Sequence, residues 1–149
     1  MSTNPDQQHS VLGTFLLPIA QALRLQGIDP LDVMAELDID VARIANPDWR
    51  LPQEQYNRLM SRCVDVSGEE AFGLLAAEQI RPQVLRGLGF AWLASDTVYD
   101  GLRRLVRFAK LVSTAADMSL FEEGEKVIVD LGRVPRSPHF HYANRDYVT

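Results

Sequence analysis

The 149-residue chain has one cysteine, Cys63, so it can form no internal disulfide, and nothing marks a secreted, stapled fold. Positive charge is also short: 15 Lys and Arg stand against 20 Asp and Glu, for a net charge of −5. Phosphate binding relies on clustered Lys and Arg, so the overall field attracts neither nucleic acid nor anionic lipid. Long hydrophobic runs are missing too. The stretches around Phe15–Ala20 and Leu88–Ala94 fall far short of the ~20 residues that a membrane span requires. The polar start, Met1 to His9, has no basic segment followed by an apolar core, so it does not read as a signal peptide. A reducing cytoplasm and no membrane partner are expected.

Catalytic signatures are equally scarce. No G-x-S-x-G elbow occurs, and Gly87-Leu88-Gly89 lacks the third glycine and preceding strand of a phosphate loop. Cys63 shares an apolar helix face with Leu59, Met60 and Val64, where a thiol behaves as a small hydrophobe. A nucleophile would need a base and an electropositive, partly exposed site. Glu69-Glu70 and Glu122-Glu123 fall in turns. His139-Phe140-His141 sets two imidazoles on one side of an extended segment, but a metal needs further ligands and none stands at a supporting spacing. An aromatic segment packing on its neighbours is the favoured reading. No enzyme, metal or cofactor is expected.

What is present suits one soluble domain with a sizeable core, the apolar share being 46% and the charged share 23%. Residues 1–9 read as a disordered leader and 10–149 as the domain. Phe15, Leu16, Ile19, Ala20 and Leu23 recur at helical spacing up to Gly27, with Thr14 near the cap and Pro18 in the first turn. Asp29-Pro30 opens a short helix with a stripe of Leu31, Met34, Ala35 and Leu37, and a loop follows through Asp48-Trp49. Leu51-Pro52 starts a helix through Tyr56, Leu59, Met60, Cys63 and Val64 to Ser67-Gly68. Another spans Glu69 to Gln79, and Pro82 leads into one over Val84–Ala94, whose Gly87 and Gly89 imply close backbone packing. Ser95 or Asp96 caps a long helix over Thr97–Ser113, apolar at Leu102, Leu105, Val106, Ala109 and Val112. From Met118 the period becomes two, and with a turn at Glu123-Gly124 the run to Leu131 forms a β-hairpin. The tail from Val134 is aromatic, and Asn144–Thr149 reads as a further helix start. The fold class is α/β (α+β): helices first, then an antiparallel hairpin. A lone hairpin is marginal in water, so the pattern predicts a piece of a larger sheet-containing domain.

Four segments carry a family resemblance. They are Ala22-Leu23-Arg24-Leu25-Gln26-Gly27-Ile28-Asp29-Pro30, then Ile44-Ala45-Asn46-Pro47-Asp48-Trp49-Arg50-Leu51-Pro52, then Val66-Ser67-Gly68-Glu69-Glu70-Ala71-Phe72-Gly73-Leu74, and last the run from Leu88-Gly89-Phe90 through Ser95-Asp96-Thr97 to Leu102. In this order and spacing, over roughly Leu16 to Leu131, they resemble the N-terminal effector domain, arabinose-binding-like, of AraC-type transcriptional regulators. The resemblance implies a bacterial sensor domain that binds a small-molecule effector, forms a homodimer, and reaches DNA only through C-terminal helix-turn-helix units not contained in this sequence. It does not carry over ligand-binding residues, because the matched motifs are caps, turns and core positions.

The residues themselves offer candidates. Arg81 and Arg86 flank Pro82 where the chain changes direction, and binding groups commonly sit on such loops. Trp92, Tyr99 and Phe108, with Trp49 and Phe90, either line an apolar pocket or fill the core, Trp92 standing by a glycine-rich turn of helix. Arg103, Arg107 and Lys110 suit a carboxylate or phosphate, although a solvated helix flank is the favoured reading. The expected function is effector sensing and dimerisation. The alternative is a dimerisation or interaction module without a small-molecule ligand.

Overall fold

The computed structural model describes residues 9–132. Apart from His9, the expected leader lies outside these residues, as do the tail from Val134, the His139-Phe140-His141 motif and the helix start at Asn144–Thr149.

The chain opens with strand β1 (Ser10–Leu12), which pairs antiparallel with β2 (Arg50–Pro52), Val11 opposite Leu51. Neither strand was expected. Three residues show no period, and Leu51-Pro52 reads from sequence as the start of a helix. That helix begins only after Pro52, which keeps an extended backbone.

Helix α1 (Leu16–Leu25) buries Leu16, Ile19, Ala20 and Leu23, with Pro18 in the first turn, where backbone donors have no intrahelical acceptor. Thr14 does not cap it. It lies in a 3-10 turn, Gly13–Phe15, and its hydroxyl donates to the Val84 carbonyl at 2.7 Å. Gly27 ends the helix at φ 75°, letting the Ile28 N–H reach back to the Leu23 carbonyl at 3.0 Å. Helix α2 (Pro30–Ala35) is capped by Asp29, whose carboxylate accepts from the Leu31 N–H at 2.9 Å. Its buried side is turned from the expected one. Val33 and Met34 face inward, while Leu31 and Ala35 are exposed. Apolar side chains ring so short a helix on several sides, and docking on its neighbours chooses among them.

Where a loop was expected, a 3-10 turn spans Val41–Ala45, opened by the Asp40 carboxylate accepting from the Ala42 N–H. Helix α3 (Gln53–Ser67) then buries Tyr56, Asn57, Leu59, Met60 and Cys63, and Gly68 closes it at φ 66°. Helix α4 (Phe72–Ala77) is shorter than the expected Glu69–Gln79 and sets Phe72, Gly73 and Ala76 inward. The core lies among α1 to α4, with Trp49, Leu51 and Val84 closing its edges.

The second half of the chain packs more loosely. The helix expected over Val84–Ala94 is split into a 3-10 turn, Pro82–Leu85, and α5 (Gly87–Leu93). Arg86 breaks it with φ 56° and ψ −134°. Gly89 does hold backbones close: a Cβ there would lie 2.0 Å from the Pro82 carbonyl oxygen, whereas Gly87 faces open space. Helix α6 (Val98–Val112) follows, and β3 (Met118–Glu123) pairs antiparallel with β4 (Lys126–Leu131), Leu120 opposite Val129. On α6 only Gly101 and Ala109 are buried, while Leu102, Leu105, Val106 and Val112 are half-buried. The architecture is the expected α+β: a helical body followed by a hairpin.

Arg50 ties the two halves. Its Nε donates to the Ser10 hydroxyl at 2.8 Å, its Nη1 to the Leu111 carbonyl at 2.8 Å, and its Nη2 to the carbonyls of Ser10 and Val112 at 3.1 and 3.2 Å. One guanidinium thus joins β1 to the last turn of α6, where carbonyls lack intrahelical donors and the dipole favours a cation.

Candidate functional site

Helix α6 starts at Thr97, not at Ser95 or Asp96. The Thr97 oxygen accepts from the Asp100 N–H at 3.1 Å, and its hydroxyl donates to the Asp100 carboxylate at 2.7 Å. This start fixes the register of the helix, and the register places Tyr99, Arg103 and Arg107 at intervals of four, one above another on one face. The same face looks toward β3.

Between them lies a groove of about 840 Å³, open to solvent. Its walls are Tyr99, Asp100, Arg103, Arg104, Val106, Arg107 and Phe108 of α6, with Ala91 and Asp96 at one end and Leu120 of β3 opposite. Three guanidiniums and two aromatic rings therefore share one cleft. Arg103 stands over the Tyr99 ring, 5.8 Å from its centroid, and Arg107 over the Phe108 ring at 5.3 Å. Arg104 is held differently, donating to the Ala91 carbonyl at 2.6 Å.

A polar contact runs from α6 to the hairpin here. The Tyr99 hydroxyl donates to the Glu122 carboxylate, which holds the phenol above its ordinary pKa, the loss of surrounding water adding to the same effect. The sequence pattern puts Glu122 in a turn. It lies within β3 and links that strand to α6.

Of the five residues singled out from sequence, the structure brings Tyr99 and Phe108 to this groove. Trp92 lies beside it without lining it. Its indole covers Gly101 so closely that a Cβ there would sit 2.5 Å from Cδ1. Arg81 and Arg86 stand elsewhere, on the loops flanking the Pro82–Leu85 turn. Arg81 donates to the carbonyls of Glu78 and Ile80, and Arg86 to that of Pro47, with Asp48 at 4.0 Å. Trp49 is core, while Phe90 is exposed. From sequence a solvated flank is the favoured reading of Arg103 and Arg107, with an anion site as the alternative, and Arg104 is not singled out. The signal that marks them is their interval of four with Tyr99.

A second groove, about 450 Å³, runs between α1, α2 and the Val41–Ala45 turn, with Leu17, Ala20, Pro30, Leu31, Met34 and Ile44 among its walls. Arg24 is its one charged side chain.

Burial pushes the Cys63 thiol up to about 12, which removes it as a nucleophile near neutral pH. Burial raises Tyr56 as well. No group of His, Cys, Asp and Glu among the described residues is arranged to hold a metal ion, and His139 and His141 lie outside them. No helix among the described residues is long and apolar enough to cross a membrane.

No curated protein matches the chain. A family profile does: residues 27–147 match that of the N-terminal arabinose-binding domain of AraC transcription regulators. The match takes in most of the chain, including α2 to α6 and the hairpin that frame the larger groove, and on that ground the chain belongs to this family of transcription-regulator domains.

Proposed function

We propose that this chain senses a small-molecule effector in the groove between α6 and β3, and that the bound and free forms differ in how the hairpin lies on α6. One observation carries the reading. The groove between α6 and β3 is bounded by a helix and a hairpin that share little buried apolar area, so its occupant bears directly on their arrangement. An effector shifts such an equilibrium only by its difference in affinity for the two arrangements. The shift passes to a dimer interface, or to helix-turn-helix units that follow the domain in the whole regulator.

A thermal-shift screen of sugars, amino acids, fatty acids and aromatic acids tests this, because a ligand that binds only the folded form raises the midpoint. A stabilising compound whose effect is lost on Phe108→Ala supports the groove. A compound that stabilises the Phe108→Ala variant equally well moves the site elsewhere.

A second reading has its own support. Phe90, Leu93, Val98, Leu111, Phe121 and Val127 are exposed apolar side chains on α5, α6 and the hairpin. They suit a dimerisation module without a small-molecule ligand. No stabilising compound, together with a dimer that survives dilution, favours that account.

A further inference from the structure

Arg103 and Arg107 line the groove between α6 and β3 one helical turn apart. This chain has five more Asp and Glu than Lys and Arg, giving its net charge of −5. Like most arginines among the described residues, these two form no ion pair there, so no carboxylate of that region occupies them. The pairs found there are Arg62 with Glu36 and Arg86 with Asp48. Both arginines lie along their own helix on aromatic rings, which leaves the guanidinium edges, where the N–H donors lie, open to a partner.

Their spacing sharpens the point. Residues four apart on a helix stand about 5–6 Å apart at Cβ, so both forks can reach one carboxylate or one phosphate and bind it through charge-assisted bonds. Beside them the groove offers Phe108, Val106 and Leu120, an apolar wall with one flat face. At its other end stand Asp96 and Asp100, and Glu122 of β3 meets the Tyr99 hydroxyl there. Asp100 is engaged by Thr97 in the helix cap, and these carboxylates repel a second anionic group.

We infer that the groove takes a small molecule with an anionic group at one end and a planar apolar body behind it. The anion, carboxylate or phosphate, binds between Arg103 and Arg107, and the ring lies against Phe108, Val106 and Leu120. This inference rests on the effector-sensing reading and narrows it to a ligand class. It differs from what the family's description would lead one to try first, since arabinose is a neutral sugar with no charge for the arginines to meet.

The test is calorimetric titration of the full 149-residue chain, with the site located from backbone amide shifts. The probes are 1-naphthoate, 1-naphthyl phosphate, the uncharged 1-naphthalenemethanol and L-arabinose. The expected result is that at least one of the two anions binds and moves amides of α6 and β3. The neutral alcohol binds about tenfold more weakly, as expected for lost charge-assisted bonds. The double variant Arg103→Gln/Arg107→Gln, whose changes are on exposed side chains, loses about tenfold for the anion. Arg24→Gln at the other groove changes nothing. Which anion binds better separates a carboxylate site from a phosphate site. If arabinose or the alcohol moves the α6 and β3 amides as strongly as the anions do, the ligand class is overturned and the sensing groove stands. If no probe moves those amides, the class is overturned and the groove reading loses its support as well.

Discussion

Arg50 is the residue whose removal has the widest consequence. Its guanidinium satisfies two carbonyls at the end of α6 and both a hydroxyl and a carbonyl of Ser10, so truncation leaves several groups short of partners. A hydrogen bond from a charged group contributes roughly 1.5–3 kcal/mol net. Arg50→Ala is therefore expected to lower unfolding stability by about 2–3 kcal/mol, read from the urea midpoint. Arg50→Lys should restore only part of it, because an ammonium cannot span the same fork. A wild-type midpoint in the alanine variant would show that the clamp is idle. Cys63 makes the opposite case, a residue defined by what it cannot do. Its thiol titrates at about 12 in the folded chain and at ~8.5 when unfolded. The resulting stability is whole below pH ~8.5 and falls as pH rises from there toward the folded value, because the unfolded state then releases the proton first. Tyr56, raised by burial too, steepens the fall above its ordinary value of 10. Urea midpoints taken from pH 7 to 10.5 should be flat and then decline, with the decline between ~8.5 and 10 absent from Cys63→Ala. The inertness of Cys63 was legible from Leu59, Met60 and Val64 around it on the helix. Arg50 was not, since its partners lie 40 to 62 residues away and leave no trace in any local period.

At the level of elements, what could be read followed from length and caps. Helices α1, α3 and α6 are long enough for a 3.6-residue period to show, Asp29-Pro30 announces α2, and the switch to alternation announces the hairpin. The strands β1 and β2 escaped because three residues cannot show a period. The break at Arg86 escaped because no glycine or proline occupies the position that turns. Asp38 shows the same thing after α2. It stands at φ 56°, and the Ile39 N–H returns to the Met34 carbonyl at 3.0 Å as at a glycine-ended helix. A left-handed conformation costs a residue with a Cβ roughly 1–2 kcal/mol, less for Asp. Asp38→Gly is thus expected to stabilise the chain by up to about 1 kcal/mol, and a loss of stability in the urea midpoint would contradict it. Thr97 gives the complementary case at the start of α6. Thr97→Ala should cost about 1 kcal/mol and Thr97→Ser little. Circular dichroism melts of the two variants distinguish a working cap from an incidental contact, for which both would melt alike.

On the scale of the whole chain, burial divides the fold. Phe72, Leu16, Ile19, Leu23, Leu59 and Met60 are all but fully enclosed among α1 to α4, whereas α6 and the hairpin keep Val98, Leu111, Phe121 and Val127 largely in water. The same division explains why the site was harder to read than the core. Tyr99 and Phe108 could be picked out as aromatics. Their meeting with Leu120 depends on where a loosely held hairpin comes to rest, which helical periodicity does not encode. Regions with few buried apolar contacts open at lower free energy than the global transition. Amide hydrogen exchange is expected to fall into two tiers: α3 exchanging only with global unfolding, and the hairpin with the last turns of α6 exchanging sooner and with a weaker dependence on urea. Arg50 is one of the polar ties between the tiers, beside Ser10–Thr114 and Ser113–Gln53, so Arg50→Ala should speed exchange in α6 and β3 more than in α3. An effector seated between α6 and β3 should slow it there first. Exchange at one rate throughout the chain, with every amide sharing one urea dependence, would mean that the two halves unfold as a single unit. The groove could not then rearrange apart from the core, and the sensing mechanism would lose its moving part.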